Sequence, residues 1–538
     1  MSADGKRLNT RASGVIALAV MCSRVLGLVR EMLFAGLFGT ALMGIFTVAF
    51  RAPNLLRDLF AEGALSTAFV TVFSRKIEQQ GRAAAWELAG RVLTLVAVFM
   101  SLMSLLGILL AEPLVSVLAM GFPAADAAQV VWLTRIMFPF ILLVSLAALA
   151  MGMLNSVGIF GLPAMASSFF NIGSIAGGAL IGWWLDPEFG SRALTGLAIG
   201  TLLGGFLQFV IQLPGLRRAG FRFRPDFCWN DPGIRMILGL MLPSVIAASA
   251  VQVNVMVNTG FASFLGPEAV SWLNFAFRLM QLPLGVFGVA VATITLPVVA
   301  RIAAGEDRTA FGPTLGRAIR LAVFLTLPAA VGLALLARPI ISLIYERGEF
   351  SADDSQQTAL ALQFYAAGLV SYSCVKVLSP AFYAIDRRWM PMLVSFAAIG
   401  LNLVLNWLFI FRWELGHRGL ALATALSATM NFVVLYMLMR KFAGPLDGKK
   451  LLFSAIKCLV GAAALGGACW AGLLWGESWL NAPELWIRCF SLLGLIGASA
   501  VVYAAVCFLL QVAEVHEACS LIVRKLRRRT KLNGDEPR

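Results

Sequence analysis

Residues 42–62 read LMGIFTVAFRAPNLLRDLFAE, an apolar run that is long enough to cross a bilayer. Four of its side chains are nevertheless ionisable: Arg51, Arg57, Asp58 and Glu62. Such groups cost on the order of 3 kcal/mol each at the centre of a bilayer, so they persist where they face water or a ligand. The run therefore predicts a membrane-spanning helix that borders a polar cavity.

The composition extends this interpretation to the whole chain. Of its 538 residues, 59% are hydrophobic and 13% are charged, and the mean hydropathy is +0.84. Soluble proteins contain about 25% charged residues. The net charge of +15 could suit a nucleic acid, but the basic residues form short clusters between apolar runs. Clusters of that kind mark cytoplasmic loops, so we expect a polytopic membrane protein with no nucleic-acid partner.

Motifs of enzymes and metal sites are absent from the sequence. It contains no Walker A loop, no HExxH and no nucleophile motif, and its eight cysteines include no CxxC pair. We therefore expect no catalytic residue, no metal site and no cofactor. Transport driven by ATP is disfavoured, which leaves an ion gradient, the membrane potential or a downhill process.

Fourteen apolar segments are long enough to be spans, at roughly 20 residues per crossing. They lie near residues 12–37, 42–74, 84–117, 124–156, 163–185, 193–215, 234–265, 269–300, 314–345, 355–385, 390–411, 417–440, 451–475 and 485–511. Each crossing must be helical, because backbone polar groups find no partner in lipid. The sequence thus predicts an all-α polytopic membrane protein with 14 transmembrane helices.

Charges in the loops predict the orientation. Basic clusters such as Arg75–Lys76 and the tail at 524–529 alternate with loops that are mainly acidic, such as Asp353–Asp354. By the positive-inside rule both termini are cytoplasmic, which requires an even number of spans.

The chain also repeats itself at an offset of about 227 residues. Ala49–Phe50–Arg51 matches Ala276–Phe277–Arg278, and Gly90–Arg91 matches Gly316–Arg317. Six spans separate the equivalents, so the repeat is parallel and predicts two six-helix lobes plus two C-terminal helices. The predicted domains are an N-lobe at 1–224, a C-lobe at 225–445, a pair of helices at 446–515 and a basic cytoplasmic tail at 516–538.

Arginines within the apolar segments are the candidate binding residues. Planar guanidinium groups bond oxyanions bidentately, so several of them suit a phosphate or a diphosphate. The candidates are Arg24, Arg30, Arg57 and Arg278, with Arg51 in second rank. Structural alternatives remain open: Arg30 can pair with Glu31 or reach the interface, Arg57 can join an ion-pair network with Asp58 and Glu62, and Arg278, which has no acidic residue within one turn, can bond backbone carbonyls.

Several motifs resemble a known family. They are Ser23-Arg24-Val25-Leu26-Gly27, Pro53-Asn54-Leu55-Leu56-Arg57, Phe60-Ala61-Glu62-Gly63-Ala64, the stretch from Ser271-Trp272 to Arg278-Leu279, and Phe382-Tyr383-Ala384. Together they resemble the MurJ (MviN) lipid II flippases of the MOP exporter superfamily, through span 14. The resemblance implies two lobes around a V-shaped cavity and a groove beside spans 13 and 14 for the lipid tail. It also implies movement of lipid II, the undecaprenyl-diphosphate-linked peptidoglycan precursor, to the outer leaflet of the inner membrane by alternating access.

The resemblance assigns roles to particular residues. Arg24, Arg30, Arg57, Arg278 and Arg51 correspond to substrate-binding arginines, whereas Glu62, Ser271 and Gln281 are gating candidates. Asn258, Asn402 and Asn406 stand at a candidate ion site, where relatives that bind sodium have acids. Gly44 replaces an aspartate of many relatives, and Phe277 and Gln281 replace acids beside Arg278. Because neutral ligands bind sodium weakly, we expect dependence on membrane potential more than on sodium.

Three other functions remain as alternatives. An exporter of another lipid-linked oligosaccharide would need a similar site, while a drug exporter of the same superfamily would need acidic cavity residues for cationic drugs. A polyprenyl-phosphate glycosyltransferase would need a catalytic carboxylate and a metal site. The expected partners are lipid II, the bilayer and the cell-wall synthesis machinery.

Overall fold

A computed structural model describes residues 10–305 and 309–515, so the predicted tail at 516–538 lies outside the described residues. Within these ranges the regular elements are helices, which confirms the all-α prediction. The first nine are α1 Thr10–Leu56, α2 Ser66–Leu109, α3 Ala111–Leu118, α4 Ala124–Met137, α5 Phe140–Ser156, α6 Gly161–Leu185, α7 Ala193–Val210, α8 Leu213–Arg218 and α9 Pro232–Ser263. The others are α10 Pro267–Pro283, α11 Val289–Ala304, α12 Phe311–Leu335, α13 Ala337–Tyr345, α14 Ala352–Ala384, α15 Trp389–Trp407, α16 Gly416–Ala443, α17 Gly448–Trp475, α18 Glu477–Leu480 and α19 Leu485–Leu509. Three π-helical segments, Arg57–Leu65, Leu284–Gly288 and Leu408–Arg412, follow α1, α10 and α15.

Eleven helices of the described chain are long and apolar enough to cross a membrane. A twelfth is the bent pair Ala352–Ala367 and Leu369–Ala384, whose halves meet at 44°. The chain is therefore a multi-pass membrane protein. The count differs from the fourteen predicted, because α1 and α2 run on through breaks and only Pro232–Pro243 of α9 qualifies, as a shorter apolar helix.

Two glycines break the first two helices. Gly39 has φ 65° and ψ −177°, and Gly81 has φ 84° and ψ 173°. Glycine adopts positive φ without the steric cost that a Cβ would bring, so the helical path can change direction at these positions. Residues 10–109 consequently form three helical stretches. Beside the first break, the Glu349 N–H donates to the Gly36 carbonyl at 2.8 Å.

The helices form two compact units. Among the described residues, one unit contains 10–271 and Arg347–Ser351, and the other contains 272–305, 309–346 and 352–515. The first unit includes α9, because α9 packs against the segment Arg57–Leu65, α2 and α3. In the first unit, the core joins α2 and α5 through buried side chains that include Phe69, Phe73, Leu149 and Met153.

The core of the second unit joins α11, α12, α14 and α16. Leu315, Leu378, Phe382 and Leu435 are fully buried there. A further cluster holds α17 and α19 together with α12, and in it the Tyr503 hydroxyl donates to the Phe324 carbonyl at 2.8 Å. The seven cysteines of the described residues are free thiols, and Cys519 lies outside those residues.

The glycine of the repeated Gly–Arg pair lies against a connecting backbone segment in each unit. A methyl group at Gly90 would lie 3.3 Å from the Arg224 carbonyl oxygen, and one at Gly316 would lie 2.5 Å from the Leu446 carbonyl oxygen. Gly90 therefore lets the segment between α8 and α9 approach α2 closely, and Gly316 lets the segment between α16 and α17 approach α12. The segments lead into α9 and α17.

Candidate functional site

Arg24 and Arg30 lie on α1 before the break at Gly39. Arg24 is exposed, whereas Arg30 is half-buried. The Arg30 guanidinium lies 3.8 Å from the Glu31 carboxylate and 5.2 Å from the centre of the Phe170 ring. The pairing of Arg30 with Glu31 that the sequence left open is thus present. A carboxylate and an aromatic face both stabilise the cation in this position.

Arg57 is the first residue of the π-helical segment and is held by its neighbour Asp58. Its Nη2 donates to Asp58 Oδ1 at 2.8 Å, and its Nε donates to the same oxygen at 3.2 Å. The other carboxylate oxygen accepts from Gln252 Nε2 at 3.2 Å and from Asn54 Nδ2 at 3.4 Å. Asp58 is therefore the partner of Arg57 that the sequence suggested. The side chain of Glu62, the second suggested partner and a gating candidate, lies outside what the structure describes.

Arg51 is half-buried on α1, between the break at Gly39 and the π-helical segment. The backbone around it is anchored, because Thr134 Oγ1 donates to the Ala49 carbonyl at 3.1 Å and the Phe50 ring packs 5.2 Å from Phe140. Four of the five candidate arginines therefore lie in one compact unit, on two successive helical stretches.

The fifth, Arg278, lies on α10 in the second unit and is exposed. Aromatic pairs fix the helix on either side of it: Phe275 lies 4.7 Å from Tyr345, and Phe277 lies 5.4 Å from Tyr365, between ring centres. Gln281, a gating candidate, is also exposed, one turn further on. Phe277 thus makes an aromatic contact within the second unit.

Ser271 is the one gating candidate whose side chain is both described and fully buried. It is 1% exposed, and its Oγ donates to the Thr40 carbonyl at 2.7 Å within the first unit. Thr40 immediately follows the break at Gly39. The hydroxyl therefore ties the first residues of α10, which belong to the first unit, to the beginning of the second helical stretch.

The three asparagines of the candidate ion site are divided between the two units. Asn402 and Asn406 are 0% exposed on α15, and Asn406 Nδ2 donates to Asn402 Oδ1 at 3.1 Å. Asn258 lies on α9 in the first unit and is half-buried. Among the described residues, no group of three or more His, Cys, Asp or Glu side chains could hold a metal ion.

Sequence reasoning missed two sets of polar contacts, one in each unit. Gln252 reaches Asp58 from α9, and the available signal was only a lone glutamine in an apolar segment. In the second unit, Trp272 Nε1 donates to Asp354 Oδ1 at 2.8 Å, and the Trp272 ring lies 5.1 Å from His417. His417 Nε2 in turn lies 3.0 Å from the Gln357 carbonyl oxygen. These partners are far apart in sequence, so no local pattern links them.

A family described as lipid II flippase MurJ matches residues 34–489 of the chain. A probable lipid II flippase MurJ of Vibrio cholerae serotype O1 is 35% identical over 518 residues, which cover 93% of this chain and 96% of the relative.

Solved structures are also similar to this chain. A lipid II flippase MurJ in an inward closed conformation aligns with a TM-score of 0.72 at 25% identity, covering 91% of this chain and 97% of its own. A multidrug resistance MATE family transporter of the MOP superfamily, in an inward-facing conformation, aligns with a TM-score of 0.64 at 15% identity, covering 81% and 98%. The likeness to the second protein shows a shared fold.

Proposed function

The chain belongs to the lipid II flippase MurJ family, and from this premise we propose that it moves lipid II from the cytoplasmic to the outer leaflet of the inner membrane by alternating access. The observation that carries the proposal is the family match, which extends over most of the chain. The protein is accordingly a transporter and not an enzyme. Lipid II and the bilayer are its partners, and the cell-wall synthesis machinery would take up the translocated precursor.

The substrate contacts are assigned to the arginines of the apolar helices. Arg24, Arg30, Arg57 and Arg278 would engage the diphosphate and the head group, and Arg51 would support them. Two features favour this assignment: cations in membrane helices are costly unless they serve a ligand or a cavity, and guanidinium groups match the oxygens of a diphosphate. The pairs that Arg30 and Arg57 form with Glu31 and Asp58 would hold these cations ready for that role.

The proposed topology follows from the helices and the loop charges. Fourteen spans are proposed, since the breaks at Gly39 and Gly81 divide residues 10–109 into three stretches and α9 would add one more span. Both termini would be cytoplasmic, as the basic loops favour. The lobes would comprise 1–224 and 225–445, and 446–515 would form the groove for the lipid tail. Glu62, Ser271 and Gln281 would act in gating.

Energy coupling is proposed to come from the membrane potential. Moving one elementary charge through 100 mV is worth about 2.3 kcal/mol, which is enough to bias a conformational cycle in a protein with this many basic residues. The neutral side chains of Asn258, Asn402 and Asn406 would hold sodium weakly, because they offer amide oxygens in place of carboxylates.

A depletion strain in which this chain is the only flippase tests the proposal. The measured quantity is the fraction of lipid II that a membrane-impermeant hydrolase reaches from outside. Arg24→Ala and Arg278→Ala should reduce that fraction at least tenfold at unchanged protein level. Arg388→Ala is the matched control, because the Arg388 side chain is 72% exposed and lies at a helix connection. Wild-type accessibility in both test variants would refute the site, and wild-type accessibility after depletion of the protein would refute the function.

A further inference from the structure

We propose that Asp58 is a positioning residue for Arg57, and that Gln252 of α9 holds Asp58 in the required orientation. The inference deepens the proposed function and rests on it, because it assumes that Arg57 contacts the anionic group of the substrate. Neither Asp58 nor Gln252 is among the substrate or gating residues considered so far. Asp58 would act only through Arg57 and would not contact lipid II.

The hydrogen bonds define this arrangement. Asp58 Oδ1 accepts from both Nη2 and Nε of Arg57, at 2.8 and 3.2 Å. Two donors of one planar group that share an acceptor keep that oxygen near the plane of the guanidinium and restrict its orientation. Asp58 Oδ2 accepts from Gln252 at 3.2 Å. Because both carboxylate oxygens are engaged, the carboxylate cannot rotate without losing bonds to one partner.

The backbone is irregular where this pair lies. In a regular α-helix, neighbouring residues lie about 100° apart, although long side chains can still meet, as those of Arg30 and Glu31 do. The π-helical segment begins at Arg57, and its wider turn contains more residues and hence less rotation per residue. Single π-helical turns are frequent at functional sites, and here the turn coincides with the pair Arg57–Asp58.

Gln252 connects this pair to a second helix. It is partly buried on α9, which packs against the π-helical segment within the same compact unit. α9 also contains Pro243, which removes one backbone hydrogen bond from the helix and favours a bend. A shift of α9 would therefore withdraw the Gln252 amide from Asp58 and loosen Arg57. The orientation of a substrate-binding arginine would thereby depend on the position of α9.

Binding of lipid II to the purified full-length protein in nanodiscs tests the inference. Arg57→Ala should weaken binding at least tenfold, Asp58→Asn about tenfold, and Gln252→Leu about threefold. The decisive measurement is a double-mutant comparison. If Asp58 acts through Arg57, then Asp58→Asn and Gln252→Leu should have no further effect once Arg57 is alanine. A merely structural role would weaken binding by the same factor in both backgrounds.

The matched control is Asp386→Asn, because Asp386 is also acidic and lies 4.0 Å from an arginine, Arg388, but is 92% exposed. Its binding should equal that of the wild type. Thermal unfolding of each variant separates misfolding from loss of binding. If Arg57→Ala binds lipid II normally, the proposed substrate site fails. If Arg57→Ala is weakened but Asp58→Asn is not, or if the two losses multiply, only the positioning role is overturned.

Discussion

Arg91 of α2 donates from Nε to Asp226 at 2.7 Å and thereby fastens the segment that leads from α8 into α9. The same guanidinium bonds Asp231 through Nη1, and Lys76 lies 3.6 Å from that carboxylate. Asp231 is buried and caps α9, since its Oδ1 accepts from the Gly233 N–H at 2.6 Å. Arg91 thus holds the residue that caps α9, and Gln252 lies further along this helix.

Loss of Asp231 should destabilise the protein more than loss of Asp226. Asp231 is 4% exposed and combines the cap of α9 with two basic partners, whereas Asp226 is 38% exposed. Asp231→Ala should lower the free energy of unfolding by about 2 kcal/mol, because it removes a helix cap and leaves Arg91 with one partner fewer in a partly buried position. Thermal unfolding in detergent measures the difference. An equal or larger loss in Asp226→Ala would contradict this ranking.

Low pH should weaken the ion pair between Arg91 and Asp226. The hydrogen bond from Arg91 holds the pKa of the Asp226 carboxyl below its usual range, with help from the Cys228 N–H. A lowered pKa in the folded state gives stability that is present above the unfolded pKa and is lost as the pH falls through the folded pKa. The midpoint of thermal unfolding should therefore fall between about pH 5 and pH 3 more steeply in the wild type than in Asp226→Asn. Identical pH profiles would show that the pair contributes nothing.

Glycine at position 44 should be required by packing. A methyl group added at Gly44 would overlap the carbonyl oxygen of Pro267. Since backbone cannot yield as a side chain does, Gly44→Ala should cost about 1–3 kcal/mol of stability. The control is Gly400→Ala, because a methyl group there meets nothing within 4 Å and alanine favours the helix. A Gly44→Ala protein as stable as the wild type would mean that α1 and the beginning of α10 separate readily.

The buried hydroxyl of Ser271 offers a test of gating. Ser271→Ala removes the bond to Thr40 and should lower stability by about 1 kcal/mol. If the bond also restrains gating, the rate of lipid II translocation should change by more than the binding affinity does. Ser116→Ala serves as the control, because Ser116 makes a similar bond to the Pro113 carbonyl at an exposed position. Equal changes in both variants would remove the case for gating.

Sequence reasoning succeeded where the interactions involve residues that are close in sequence. Apolar length, and the cost of charge in lipid, act locally, so the helices and the arginines of α1 and α10 could be predicted from the segments that contain them. Neighbours in sequence also suggested the pairs Arg30–Glu31 and Arg57–Asp58.

Contacts that depend on tertiary packing could not be predicted. Gln252 meets Asp58 although 194 residues separate them. The predicted segments 12–37, 42–74 and 84–117 leave gaps that contain the breaks at Gly39 and Gly81, but apolar length does not indicate that a helix continues on both sides of each break. The π-helical segment at Arg57 is likewise not visible in the spacing of apolar residues, because it changes the helical repeat over only one short stretch.

Sodium should matter less than membrane potential for translocation. Asn402 and Asn406 are fully buried and bonded to each other, and they present amide groups where a strong sodium site would contain a carboxylate. Replacing external sodium by choline should leave the exposed fraction of lipid II unchanged, whereas collapsing the membrane potential should lower it severalfold. Asn402→Asp places a negative charge beside Asn406 and should make translocation depend on sodium, because a buried carboxylate gains from a bound cation. A wild-type protein that stops in choline would overturn the prediction.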